Sequence, residues 1–177
     1  MALTSSNTLP LGTHAPSFEL IDVISNQTIS PTNNAKNTPM VVAFICNHCP
    51  YVIHILEQFI SVGNEYLTKG IQFIAISSND IESYPMDGPD AMKTLAKQKD
   101  MGFPYCFDKT QAVAKAYQAA CTPDLYLFDS NHTLVYHGQF DDSRVNGSIP
   151  VTGKDLITAM NSLLEGKSIS KKQTPSI

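Results

Sequence analysis

Two cysteines separated by two residues, Cys46-Asn47-His48-Cys49, follow the apolar run Val41-Val42-Ala43-Phe44-Ile45. A buried strand that ends in Cys-x-x-Cys and passes into a helix is the arrangement of a dithiol redox site. The backbone supplies the reason. The first turn of a helix leaves N–H groups unpaired and carries the positive end of the helix dipole, and both favour a thiolate. Cys46 is therefore expected to titrate below the ~8.5 of a free thiol and to act as the attacking sulfur. Cys49 is placed to resolve the mixed disulfide. His48, beside the second sulfur, is expected to tune the thiolate. Asn47 and Pro50 complete the turn, and Pro50 suits the first helical turn because its missing N–H has no partner there anyway.

The other candidates are weaker. Cys121 directly precedes Thr122-Pro123 and is a possible third thiol, with a packed core thiol as the alternative. Cys106, in Pro104-Tyr105-Cys106-Phe107, reads as core. His14, His54 and His132 read as surface or satisfied core residues, while His137 is a candidate to reach the dithiol face. Asp141, Asp142 and Arg144 form a loop that either pairs its own charges or borders the site as a rim.

Composition narrows the classes of function. The net charge of −4 gives no electrostatic case for nucleic acid or an anionic membrane. Arg144 is the only arginine, which excludes a multi-arginine phosphate clamp. No run approaches the ~18 apolar residues of a membrane span. The start has neither the basic region nor the apolar stretch of a secretory signal. A cytoplasmic location is expected, where four cysteines are poor candidates for structural disulfides.

The elements that must position the dithiol can be read in order. Residues 18–23 and 28–29 flank a turn and suggest a hairpin. Residues 30–39 form a loop. Residues 41–45 are apolar on both faces, as in a central strand. From Pro50 the apolar period becomes helical and ends at Gly70. Residues 71–76 form a second buried strand, 77–88 a polar loop, and 89–100 a helix. A short strand at 103–107 precedes a helix at 110–120. Strands at 125–128 and 133–137 and a helix at 154–165 complete a single domain over 1–166. Residues 167–177 are expected to be a mobile tail.

This order, with its dithiol, resembles the thioredoxin-like superfamily, on the redoxin branch that includes the alkyl-hydroperoxide-reductase/thiol-specific-antioxidant (AhpC/TSA) group. The residues that carry the resemblance are Gly12-Thr13-His14-Ala15-Pro16-Ser17-Phe18, Cys46-Asn47-His48-Cys49-Pro50-Tyr51 and Thr122-Pro123. It implies an α/β fold with a central mixed sheet flanked by helices, an N-terminal hairpin and a helical insert before a cis-proline. It also implies that Thr122 and Pro123 face the sulfurs and dock the substrate backbone. The chain departs from thioredoxin in having Ile45 before the first cysteine, Asn47-His48 between the two, and Met40 where thioredoxin has a buried aspartate. That aspartate's role falls to another group or to water.

The resulting expectation is a thiol–disulfide oxidoreductase without metal or cofactor. Its partners would be a disulfide-bearing protein, a small thiol or a peroxide, with a thioredoxin- or glutathione-type electron donor. A peroxiredoxin-like peroxidase is the nearest alternative, although Ala43 stands where its hydroxyl residue belongs and Arg144 would have to be recruited. A copper- or zinc-binding chaperone on the same fold is a further alternative.

Overall fold

A computed structural model describes residues 6–7, 9–31 and 37–176. Parts of the first sixteen residues, which read in sequence as a polar arm, and of the 30–39 loop lie outside the described residues, as does residue 177. The hairpin is β1 (Leu20–Ile21) and β2 (Thr28–Ile29), a two-stranded sheet of its own joined to the main sheet by a bridge between Asp22 and Cys106. The main sheet comprises β3 (Met40–Phe44), β4 (Gln72–Ser77), β5 (Tyr105–Phe107), β6 (Asp124–Phe128) and β7 (Leu134–Gly138). Its order is β5-β4-β3-β6-β7. β3 runs parallel to β4 and antiparallel to β6, so the sheet is mixed.

β3 shows why an all-apolar run makes a central strand. Val41 and Ala43 point into a core shared with α1 (Pro50–Thr68), α2 (Pro89–Gln98) and α4 (Lys154–Leu164). Met40, Val42 and Phe44 point to the opposite face, into a core with Val113 and Tyr117 of α3 (Ala112–Tyr117). Alternate side chains thus fill two separate cores, and neither face can be polar.

In α1, Val52, Ile55, Leu56, Phe59 and Tyr66 are buried, and Gly70 follows the helix with φ +89°. Gly63 lies against the ring of Phe103, where a Cβ would collide with the ring. Gly63→Ala should therefore lower stability by ~1–3 kcal/mol through overpacking, measured by denaturant unfolding. Alanine's better helix propensity does not offset this.

Two expectations need correction. α3 is shorter than the 110–120 expected, because Gln111 and Gln118 both adopt left-handed backbone and bound it. Its first turn is held by Asp108, whose carboxylate accepts the Ala114 N–H at 3.0 Å. The segment after Gly166, expected to be mobile, lies along the outer edge of β7. Gln139 N–H donates to the Thr174 carbonyl at 2.8 Å, and Ser176 Oγ–H donates to the Gly138 carbonyl at 2.9 Å. The Gln173 side chain adds two more bonds, accepting the His137 N–H and donating to the Val135 carbonyl. An open strand edge exposes such groups, and the tail occupies them.

Candidate active site

Three strand ends meet at the candidate site. β3 stops at Phe44, and Ile45 leads to Cys46. β6 is antiparallel to β3, with Phe44 paired to Asp124. The residues just before β6 therefore lie beside those just after β3. The Thr122–Pro123 peptide bond is cis. Thr122 Oγ1 is 3.4 Å from Cys46 Sγ, and Cys49 Sγ is 3.2 Å from the Thr122 carbonyl oxygen. All four cysteines are free. Cys46 is only 1% exposed and Cys49 4%.

β4 is parallel to β3, so its following loop returns to the same edge. That loop ends in one 3-10 turn, Pro85–Asp87, and Asp87 is fully buried. Asp87 Oδ1 accepts the N–H of Asn47 at 2.7 Å and of His48 at 3.2 Å. Its Oδ2 accepts from His48 Nδ1 at 2.5 Å and from Asn79 Nδ2 at 2.8 Å. Tyr84 stacks on His48 with ring centroids 4.0 Å apart. Asn47 Nδ2 donates to the Met86 carbonyl, and Asn47 Oδ1 accepts from the Tyr105 hydroxyl. The 78–88 loop thus clamps the Cys-x-x-Cys turn.

Asp87 is the residue the sequence reading missed. It lies well outside the motif, in a segment that reads as an ordinary polar loop. The available signal was topological. Loops after adjacent parallel strands leave at the same edge of the sheet, so an acid in the loop after β4 was a candidate for the vacant buried-carboxylate role.

The electrostatics of the sulfur pair also correct an expectation. Cys49 is the N-cap of α1, and its carbonyl accepts the Ile53 N–H. The Cys49 thiol is pushed below the ordinary range, first by the hydrogen bond from Cys46, then by the Thr122 hydroxyl and the N–H groups of Val52 and Tyr51, against the cost of burial. The Cys49 sulfur makes no hydrogen bond of normal geometry to the first turn, so these N–H groups act on it mainly through their field. Cys46 is pushed up, by the same hydrogen bond, by burial, and by the negative charge of Asp87. The pair therefore releases one proton easily and holds the second. Of the two, Cys49 carries the lowered pKa and Cys46 the raised one, set first by the hydrogen bond between the sulfurs, with the charge of Asp87 a smaller contribution.

The remaining candidates separate. Cys121 lines the same cavity as Cys49 and Thr122, with its thiol pushed up to about 12 by burial and the nearby charges of Asp124 and Cys49. Cys106 is fully buried on β5, and burial pushes its thiol up. His137 does not reach the dithiol. It stacks on Tyr126 and its Nε2 lies 3.0 Å from Asp124 Oδ1, on the face of the sheet away from the Cys-x-x-Cys turn. His54 Nε2 lies 3.1 Å from Ser143 Oγ.

Arg144 is spent locally. It donates to the carbonyls of Asp141 and Ser143 and to Gln139 Oε1. It lines a small crevice with Tyr51 and Pro123 and not the cavity at the sulfurs. Asp141 anchors the start of α4, accepting the N–H groups of Thr152 and Gly153, each at 2.6 Å, and of Ser143 at 2.8 Å. Burial opposes its charge, but the Ser143 hydroxyl and these N–H bonds outweigh burial and hold its carboxyl below the usual range. Asp141→Ala should cost roughly 2–4 kcal/mol in denaturant unfolding, because three N–H groups lose their acceptor.

One cluster has metal-ligand character. Cys46 Sγ, a ring nitrogen of His48 and a carboxylate oxygen of Asp87 lie within 4.8 Å of one another. A thiolate, an imidazole and a carboxylate suit Zn(II), with Cys49 adjacent. The sequence reading had only two thiolates and a histidine to offer.

A model of the AhpC/TSA family matches residues 11–137. A crystal structure of an uncharacterized conserved protein from Geobacillus kaustophilus is 47% identical, with a TM-score of 0.96 over 99% of this chain and 93% of that one. A hypothetical protein from Sinorhizobium meliloti 1021 is 40% identical, with a TM-score of 0.95 over 99% and 95% of the two chains. The thioredoxin domain of a thiol-disulfide oxidoreductase from Bacteroides vulgatus superposes with a TM-score of 0.64 at 17% identity, over 87% of this chain and all of that domain. The fold is therefore thioredoxin-like. Among the curated proteins compared, none matches.

Proposed function

Because the chain belongs to the AhpC/TSA family, we propose that it catalyses thiol–disulfide exchange with Cys46 and Cys49 as its dithiol/disulfide centre. The supporting observation is the pairing of both sulfurs with Thr122, next to the cis Pro123. In the reduced pair one proton is shared. As Cys46 Sγ attacks a substrate sulfur, that proton crosses to Cys49, and the far half of the substrate leaves as a thiolate. Cys49 then gives its proton to solvent and attacks the Cys46 sulfur. The second half leaves as a thiolate, and the pair becomes a disulfide. Two electrons have passed to the substrate, and an external thiol donor of thioredoxin or glutathione type returns them. His48 and Asn47 hold the turn through Asp87 and Met86, Pro50 opens the helix, and Thr122 and Pro123 dock the substrate.

In the cytoplasm expected from the sequence, poised below about −200 mV, the net direction is reduction. Thiol trapping with peptide mapping in graded glutathione buffers tests the reading. A Cys46–Cys49 disulfide with a midpoint near about −270 mV marks a reductase, and one near about −120 mV an oxidant. If the two cysteines never pair, exchange is ruled out.

Asp87 favours a second reading, in which the reduced site holds Zn(II) through Cys46, His48 and Asp87. Stoichiometric zinc in the purified reduced protein, lost in Asp87→Asn, would support it. The peroxidase reading has less behind it: Ala43 is a buried strand residue without a hydroxyl, and Arg144 is held by carbonyls. Hydroperoxide consumption by the reduced protein tests it directly.

A further inference from the structure

Resting on the exchange reading above, we propose that the substrate is a small zwitterionic disulfide of amino-acid or short-peptide type, taken into the cavity beside Cys49. The cavity has a volume of about 510 Å³ and opens on Cys49, Cys121 and Thr122. That is the size of a small-molecule site, ~300–1,000 Å³. Both reacting sulfurs are nearly inaccessible; Cys49 borders the cavity and Cys46 does not, so a disulfide must enter past Cys49 and Thr122 to meet the pair. A small disulfide can do so whole, whereas one on a folded protein would have to project from its surface.

The lining carries recognition chemistry suited to such a molecule. Tyr51 and the stacked His48–Tyr84 pair give flat surfaces for a carbon and sulfur chain. Among the described lining residues, Lys115 is the only lysine or arginine and Asp80 the only carboxylate. The Ser83 hydroxyl and the Glu82 N–H hold Asp80 ionised, below the usual carboxylate range. Each Asp80 oxygen accepts one of these bonds and keeps a lone pair for a ligand. A cation and an anion in one cavity match the carboxylate and ammonium of a zwitterion. A neutral disulfide uses neither, and a protein disulfide carries them only by chance.

The exchange is that written above. One substrate S–S bond is broken, the Cys46–Cys49 bond is formed, and two small thiols are released.

The test is single-turnover oxidation of the fully reduced chain. Three substrates are compared: oxidised glutathione, neutral bis(hydroxyethyl) disulfide and insulin. Samples are quenched by alkylation and read by mass, and each rate is normalised to that of free dithiothreitol with the same disulfide. Oxidised glutathione should be preferred over both others. Lys115→Glu should lower its rate at low salt by about fivefold, as expected for reversing one exposed charge, and should leave the neutral disulfide within about twofold. Lys115 is exposed on α3 and forms no ion pair among the described residues, so the variant is expected to fold. Insulin preferred, or equal effects of Lys115→Glu on charged and neutral disulfides, would overturn the inference while leaving exchange standing. No oxidation by any of the three would instead remove the exchange reading beneath it.

Discussion

Cys49→Ser should stop turnover after its first half and leave half of the substrate covalently bound to Cys46. The expected loss of turnover is on the order of a thousandfold or more, because the second nucleophile is gone while the first still reacts. Cys46→Ser should lose as much activity but accumulate no adduct. Peptide mapping of non-reduced protein after one exposure to the disulfide separates the two variants. The assignment is demanding, because Cys49 is the sulfur with the depressed pKa. It holds only if the shared proton crosses to Cys49 as Cys46 attacks. An adduct on Cys49 in Cys46→Ser, with none on Cys46 in Cys49→Ser, would reverse the order of the sulfurs. The exchange rate should also reach half its plateau below the ~8.5 of a free thiol, since the first proton of the pair leaves easily. A midpoint at or above that value would remove the case for a pre-formed thiolate.

Asp87→Ala should cost about 3–5 kcal/mol of stability, the range for removing one partner from a buried charged network. Four donors converge on this carboxylate: the N–H groups of Asn47 and His48, His48 Nδ1 and Asn79 Nδ2. Asp87→Asn keeps the shape and removes the charge. Because the Asp87 charge helps hold the Cys46 thiol up, Asp87→Asn should lower the second ionisation of the pair, read as thiolate absorbance against pH. An unchanged titration would mean that Asp87 only braces the turn. An unchanged unfolding midpoint in Asp87→Ala would mean that the loop does not clamp it.

The contrast between Asp87 and Cys46 shows what the sequence made legible. Residues 41–45 read as a two-faced strand because their side chains fill two cores, and that information is local. The helix from Pro50 and the cysteine pair are likewise contained in one segment. The clamp is not local. Asp87, Tyr84 and Asn79 come from the loop after β4, and only the parallel pairing of β3 and β4 brings them to the sulfurs. The same limit applied to His137, whose strand was read correctly while its face was not. Which side of the sheet a residue takes depends on register, and here Tyr126 pairs with His137 on the face away from the Cys-x-x-Cys turn. The ends of α3 were misjudged for a different reason. Left-handed glutamines bound it, and glutamine carries no sequence signal for that conformation.

The pairing of Phe44 with Asp124 has a bearing on how such a site can diversify. Cys46 lies two residues beyond one member of that pair, and Thr122 two residues before the other. The distance between sulfur and threonine is therefore gauged by a ladder of backbone hydrogen bonds and is indifferent to the loops around it. Replacing or lengthening the segments that carry Tyr84 or Lys115 can change which molecule is admitted while the gap across which it reacts stays fixed. Inserting one residue between Thr122 and Asp124 would do the opposite, altering that gap for every substrate alike.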